Sequence, residues 1–246
     1  MILFQEVWSK SHAKDIVEYC RSRGYAPAQT EQGGRSTGGL VFLYKAANWS
    51  VNKSVFSVFK RHASPFFIWQ GDGISGKGVL ALVLTRVKNG AAVVVATTHL
   101  QSQYGNYHYS EVRRAQIKEL EVAIEALAPT ALPIILAGDF NTMPADPVYS
   151  LLEQQWFDLT SEYRLGCEQE SPAFCGTYFN DSLPNQWLDY VFVKRAPGLK
   201  VNGTVELIRN RRKDDPFSDH QGLQVDISIT ISSPLTRVFR QLLGEN

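Results

Sequence analysis

Apolar runs and amphipathic stretches alternate along the whole chain. Ile2-Leu3-Phe4 is a short apolar run that breaks into Gln5-Glu6, the end of a buried strand. Ser9 or Ser11 can cap a helix reaching Arg23, and Gly24 can end it. Residues 39–44 read as a strand. The β-branched runs 79–87 and 91–98 are joined through Asn89-Gly90, whose preference for positive φ predicts an antiparallel hairpin. Ser110 opens a helix with apolar positions Ile117, Leu120, Ile124 and Leu127, and Pro129 follows it. Residues 133–137 form an apolar strand that breaks into Gly138-Asp139-Phe140-Asn141. Asp146-Pro147 pairs an N-cap with proline at the first helical position, opening a helix that reaches Glu153. Residues 188–193, 201–208 and 223–231 read as three further strands. Residues 234–243, within a C-terminal tail 234–246, read as a short amphipathic helix that packs on the domain or touches a membrane surface. No repeat or low-complexity linker interrupts the pattern, so 1–246 is expected to be a single α/β domain.

Composition changes this picture little. The 246 residues are 44% hydrophobic and 20% charged, an ordinary globular balance that excludes disordered and fibrous classes. Lys and Arg together number 25 against 24 acidic residues, so the broad basic field of a tight non-specific nucleic-acid binder is absent. Three cysteines are too few for a disulfide framework. Cys20 falls on the first helix as a core residue. Cys167 and Cys175 flank an acidic, Pro-containing segment and can be a closed loop or two reduced thiols. No run of about 20 apolar residues exists to form a membrane-spanning helix. No basic segment followed by a long apolar run opens the chain, so no signal peptide is expected.

The chemistry lies where apolar strands end. The run 2–4 leads into Glu6, the run 93–98 into His99, and the run 134–137 into Asp139 and Asn141. Ser218-Asp219-His220 precedes the last strand, and Asp189 sits inside Trp187-Leu188-Asp189-Tyr190-Val191. A single polar residue at a strand end is usually a loop cap, so chemistry requires convergence. Carboxylate and amide oxygens suit a hard cation such as Mg²⁺, and histidine moves protons near neutral pH. Zinc would need several closely spaced His or Cys ligands, which the chain lacks. The set therefore suits metal-assisted hydrolysis of a phosphate ester.

Leu3-Phe4-Gln5-Glu6-Val7-Trp8, Thr98-His99-Leu100, Gly138-Asp139-Phe140-Asn141, Leu188-Asp189-Tyr190 and Ser218-Asp219-His220 stand in the order found in the endonuclease/exonuclease/phosphatase superfamily, which the chain resembles over nearly its whole length. The resemblance implies a DNase-I-like fold: a four-layer α/β/β/α sandwich of two mixed β-sheets flanked by helices. Within it, Gly71-Asp72-Gly73-Ile74-Ser75-Gly76-Lys77-Gly78-Val79 resembles an Asp…Lys-Gly element of Mg²⁺-dependent neutral sphingomyelinases. The segments Thr98-His99-Leu100-Gln101 and Arg113-Arg114-Ala115-Gln116-Ile117 resemble that branch too.

Carried over by position, the resemblance gives each residue a role. Glu6 holds the metal, Mg²⁺ with Mn²⁺ as a substitute. His220 is the general base, with Asp219 beside it as orienter or second metal ligand. Asp139 and Asn141 position the nucleophile and phosphoryl oxygens. His99 stabilises developing charge or assists the leaving group, and Asp189 supports a histidine or the metal. Lys77 contacts substrate phosphate and is positioned by Asp72. The implied enzyme is a phosphodiesterase acting on a phospholipid, with peripheral membrane contact, as a monomer. Tyr104, Tyr107, His108 and Tyr109 form an aromatic loop that can line a groove or pack. Arg209 to Lys213 form a basic run that is a solvated loop or a phosphate contact. His12 and His62 read as surface or capping residues.

The chain begins almost on the Gln-Glu motif, so the superfamily's usual first strand and its Asn are expected to be absent and the domain N-terminally incomplete, with low activity and stability. Localisation stays open between cytoplasmic and peripheral membrane, or secreted if a leader preceded the chain. The alternatives are a nuclease of the same fold, an inositol-phosphate phosphatase and a catalytically impaired fragment or binding protein. Balanced charge and the Asp72–Lys77 element weigh against a nuclease. No Trp-Thr-Asp-Arg-type motif near Asp189 supports the phosphatase.

Overall fold

A computed structural model describes all residues except 30–32, 35–36, 64–75, 105–108, 128–131, 173–174, 181–182, 209–217 and 232–246. Asp72, Tyr107, His108, the basic run 209–213 and the expected tail helix lie outside the described residues. The chain divides into two compact units, Met1–Asn141 and Thr142–Asn246.

The first unit contains β1 (Ile2–Phe4), α1 (Lys10–Arg21), β2 (Tyr25–Pro27), β3 (Val41–Lys45), β4 (Trp49–Val58), β5 (Gly78–Arg86), β6 (Ala92–His99), α2 (Ser110–Leu127) and β7 (Ile134–Asp139). One sheet has the order β1-β3-β2, and four strands of another run β4-β5-β6-β7. β6 and β7 are parallel and the other pairings in the unit are antiparallel, so this second sheet is mixed.

The alternation in β3 explains how the layers stack. Leu40 and Phe42 join Leu80, Leu82, Leu84, Val93 and Val95 in a core between the sheets. Val41 and Leu43 point the other way and meet Val7, Ala13, Val17 and Cys20, the last three on α1. A strand buried on both faces reads as a continuous apolar run. α2 packs on β4 and β5, burying Ile117, Leu120 and Ile124. α1 is capped by Ser9, whose hydroxyl accepts from the His12 amide. It ends at Arg21, two residues before the expected Arg23, because Ser22 and Arg23 belong to the turn closed by Gly24 at φ +78°.

The second unit contains α3 (Pro147–Gln155), β8 (Trp156–Asp158), α4 (Ser161–Glu170), β9 (Tyr178–Asn180), β10 (Leu183–Gln186), β11 (Asp189–Lys194), β12 (Leu199–Ile208) and β13 (Gly222–Ile231). β11 pairs antiparallel with β8, and β12 with β13 over ten residue pairs. Asp146 caps α3 by accepting from Val148 N, ahead of Pro147. Asp158 anchors a buried polar network. It accepts from Tyr149 Oη at 2.7 Å and from Thr160 N and Oγ1, with Arg164 at 3.8 Å. Cys167 lies on α4, a helix the apolar pattern did not predict, and all three cysteines are free thiols. Burial, with Cys167 hydrogen-bonded beside it, pushes the Cys175 thiol up to about 12.

Candidate functional site

Two groups of polar side chains collect at strand ends, one in each unit. In the first unit, β7 does not break at Gly138 but continues through Asp139, and register sets Thr98 opposite Gly138 and His99 opposite Asp139. The glycine permits this approach: at φ +145°, a Cβ there would lie 2.1 Å from Thr98 O. His99 and Asp139 thus finish adjacent parallel strands, and His99 Nε2 stands 3.3 Å from Asp139 Oδ2. Gln5 ties the end of β1 to the same place by donating Nε2–H to Thr97 Oγ1 at 3.0 Å.

Glu6 and Asn141 are the two non-glycine residues with positive φ among the described residues, at 58° and 48°. Such conformations cost energy and persist where surrounding contacts enforce them. For Asn141 the contacts are explicit. Its amide donates to Asp139 Oδ1 at 2.8 Å, and its side-chain Nδ2 donates to Asp139 Oδ2 at 3.0 Å and Leu100 O at 3.1 Å. Glu6 turns its carboxylate toward His99, with Oε1 3.6 Å from Nε2, yet keeps its side chain 62% exposed.

Lys77 is buried, 5% exposed, rather than a lysine in solvent. Its ammonium lies 2.9 Å from His99 Nε2 and donates to Leu100 O at 2.8 Å and Ser102 Oγ at 3.0 Å. An ammonium only donates, so in this contact Lys77 is the donor to the ring nitrogen. A buried cation needs such acceptors to offset lost hydration. The loop holding them is tied down from α2. Gln101 N donates to Gln116 Oε1 at 2.9 Å and Arg113 Nη1 donates to Gln101 O at 3.3 Å.

In the second unit, His220 Nδ1 lies 2.7 Å from Asp189 Oδ2. A carboxylate oxygen accepts, so Nδ1 is the donor in this contact, and in the neutral ring Nε2 then keeps its lone pair. Sequence reasoning made the neighbouring Asp219 an orienter or second metal ligand and left Asp189 to support a histidine or the metal. The contact falls on Asp189, because Asp219 projects as an exposed residue while its backbone carbonyl accepts from Phe179 N at 3.1 Å. Tyr178 bridges His220, and their rings lie 5.1 Å apart.

Among the described residues, no group of three or more His, Cys, Asp or Glu side chains could enclose a metal. The exposed Glu6 carboxylate fits a hard cation that keeps most of its waters and takes one or two protein carboxylates. Asp139 is already engaged with Asn141.

Comparison with known proteins follows the same line. The profile of the Endonuclease/Exonuclease/phosphatase family matches residues 1–220. Mouse sphingomyelin phosphodiesterase 2 is 27% identical over 95% of this chain and 58% of its own length, so the chain spans little more than half of that relative. Human nocturnin is 27% identical over 63% of the chain and 37% of its own length. Among solved structures, the human nocturnin catalytic domain with bound sulfate superposes with a TM-score of 0.66 at 19% identity, covering 93% of this chain and 80% of that one. Zebrafish (D. rerio) TDP2 complexed with single strand DNA product gives 0.63 at 17% identity, covering 92% and 84%.

Proposed function

The chain belongs to the endonuclease/exonuclease/phosphatase family, and from that premise we propose that it is a divalent-metal phosphodiesterase of the sphingomyelinase type, cleaving a phospholipid to release its phosphorylated headgroup. Its class is phosphoesterase and its fold is the DNase-I-like α/β fold with mixed sheets. The observation that carries the finer reading is the buried Lys77 ammonium against His99, beside Glu6 and Asp139. A fixed cation amid hard oxygen donors is what a phosphodiester needs, since hydrolysis depends on positioning and on charge opposing the phosphoryl oxygens. Likeness to sphingomyelin phosphodiesterase 2 over 95% of the chain supports a lipid substrate.

Glu6 would hold the cation, which when bound neutralises phosphoryl oxygens and lowers the pKa of bound water. Lys77 donates to a phosphoryl oxygen, exchanging one of its present acceptors for substrate. His99 orients beside it, held by the Lys77 ammonium. Asn141 holds Asp139 in one rotamer through two hydrogen bonds. His220 takes the proton of the attacking water at Nε2, and Asp189 stabilises the imidazolium that results. Asp219, exposed next to His220, is kept as its orienter or as a ligand of a second metal. Asp72 is kept as the partner of Lys77.

A hydrolysis panel tests this reading. Sphingomyelin, phosphatidylcholine, plasmid DNA and an inositol phosphate would be offered with Mg²⁺, with Mn²⁺ and with EDTA. Cleavage of a choline phospholipid that EDTA abolishes and Mg²⁺ restores is expected. Cleavage of DNA without lipid would reassign the substrate, and turnover indifferent to EDTA would remove the metal.

A further inference from the structure

Thr177 belongs to no motif, yet it is fully buried and bonded to both arms of the Asp189–His220 pair. Its Oγ1 accepts from Leu188 N at 2.9 Å and Asp189 N at 3.1 Å. Its amide donates to Gln186 O at 2.9 Å, and its carbonyl accepts from Gln221 N at 2.7 Å. The next residue, Tyr178, forms the β-bridge to His220. One residue thus grips the chain at Asp189 through its side chain and at Gln221 through its backbone. Between those grips, His220 Nδ1 and Asp189 Oδ2 stand 2.7 Å apart.

We propose that Thr177 is a positioning residue that sets the Asp189–His220 hydrogen bond, acting through the backbone on each side and not on substrate. The physical reason is that Asp189 opens β11, where no preceding strand residue fixes its direction. A hydroxyl accepting two successive N–H groups fixes the orientation of that peptide, and with it the Cα–Cβ direction of Asp189. Buried N–H groups need such an acceptor, so removing it lets the segment shift to find another. Tyr190 steadies the far side, its Oη lying 2.9 Å from Trp187 O and 2.8 Å from Thr142 O, which share its one proton. That leaves the 188–189 peptide as the part governed by Thr177.

The kinetic consequence rests on the phosphodiesterase reading; the geometric one does not. Thr177→Val keeps the shape and deletes the acceptor, whereas Thr177→Ser keeps the acceptor and deletes the methyl group. With p-nitrophenyl phosphorylcholine as substrate, Val is expected to lower kcat by about 10- to 100-fold, the scale of a sub-ångström to 1 Å misplacement. KM should stay within about twofold, because Thr177 touches no substrate. Ser should recover most of kcat. In the substrate-free protein, the downfield proton resonance of His220 Nδ1–H should be present in the parent and in Ser, and lost or broadened in Val. A Ser variant as impaired as Val would mean that methyl packing matters and would overturn the proposal. So would a Val variant that keeps both kcat and the resonance. If the parent hydrolyses nothing while the resonance follows the hydroxyl, the substrate reading fails and the positioning role stands. Should Val not fold, the parent and Ser still decide, since loss of the resonance in Ser contradicts the proposal.

Discussion

The two polar groups are built by different means. The Lys77–His99–Asp139 cluster hangs on the mixed sheet of the first unit, where register places His99 and Asp139 side by side. Its central members are almost fully buried, with His99 1% exposed. The Asp189–His220 pair in the second unit is more open and is held by one bridge and one threonine hydroxyl. A cluster on packed strands inherits the rigidity of the core. A pair on a strand end and a loop must carry its own supports. The first design suits fixed charge that opposes a phosphate; the second suits a base that must reach water and gain a proton.

Four perturbations probe that contrast. His220→Ala should give the largest change, lowering kcat by at least about 10²- to 10⁴-fold, the usual scale of general-base help. Its melting temperature should stay near the parent's, because the pair lies outside the packed core. A large loss of stability with activity retained would reverse the proposed division of labour. Gly138→Ala should do the opposite and destabilise the fold by about 3 kcal/mol in urea titration, because its Cβ must displace the Thr98 backbone. A variant as stable as the parent would show that β6 and β7 can separate at His99 without cost.

Asn141→Gly sharpens the picture further. Glycine accepts φ +48° without strain but loses both Nδ2 bonds. Stability should change by less than about 1 kcal/mol as relief and loss offset each other. Activity should fall by about tenfold through the loosened Asp139.

Tyr149→Phe addresses the interior of the second unit and should give the smallest effect. Burial first, then the adjacent Asp158 carboxylate, raise the Tyr149 phenol well above its usual value of 10.0. The native state therefore keeps this proton at pH values where the unfolded chain has lost it. The stabilisation is complete below pH 10 and declines as pH rises further, since the unfolded state then binds fewer protons. Tyr149→Phe should cost about 1 kcal/mol at pH 7 and flatten the fall in stability above about pH 10. An unchanged alkaline slope would assign that fall to other groups.

Much of the fold was legible because the elements obey simple periods. α1, α2 and α3, the β5–β6 hairpin through Asn89-Gly90, and the strands β12 and β13, though not their pairing, all follow from apolar spacing and end signals. β4 was missed because most of its side chains are half-buried or exposed and its polar positions hide the alternation. α4 was missed for a related reason: Arg164 is its one buried residue, and that burial depends on Asp158 and Tyr149. Glu6, His99, Asp139, Asn141, Asp189, Asp219 and His220 were legible as polar punctuation of apolar strands. Thr177 gave no such signal, because its role consists of hydrogen bonds to backbone distant in sequence.

By itself, the sequence determined which residue types stand at which strand ends, and thereby the family and its class of chemistry. Tertiary structure decided the partners. It set Asp189, and not the adjacent Asp219, against His220, and it buried Lys77 against His99. The reason is physical: strand identity follows from local periodicity, whereas a side chain's partner depends on register and on backbone conformations such as those at Glu6, Gly138 and Asn141, which only the packed chain enforces.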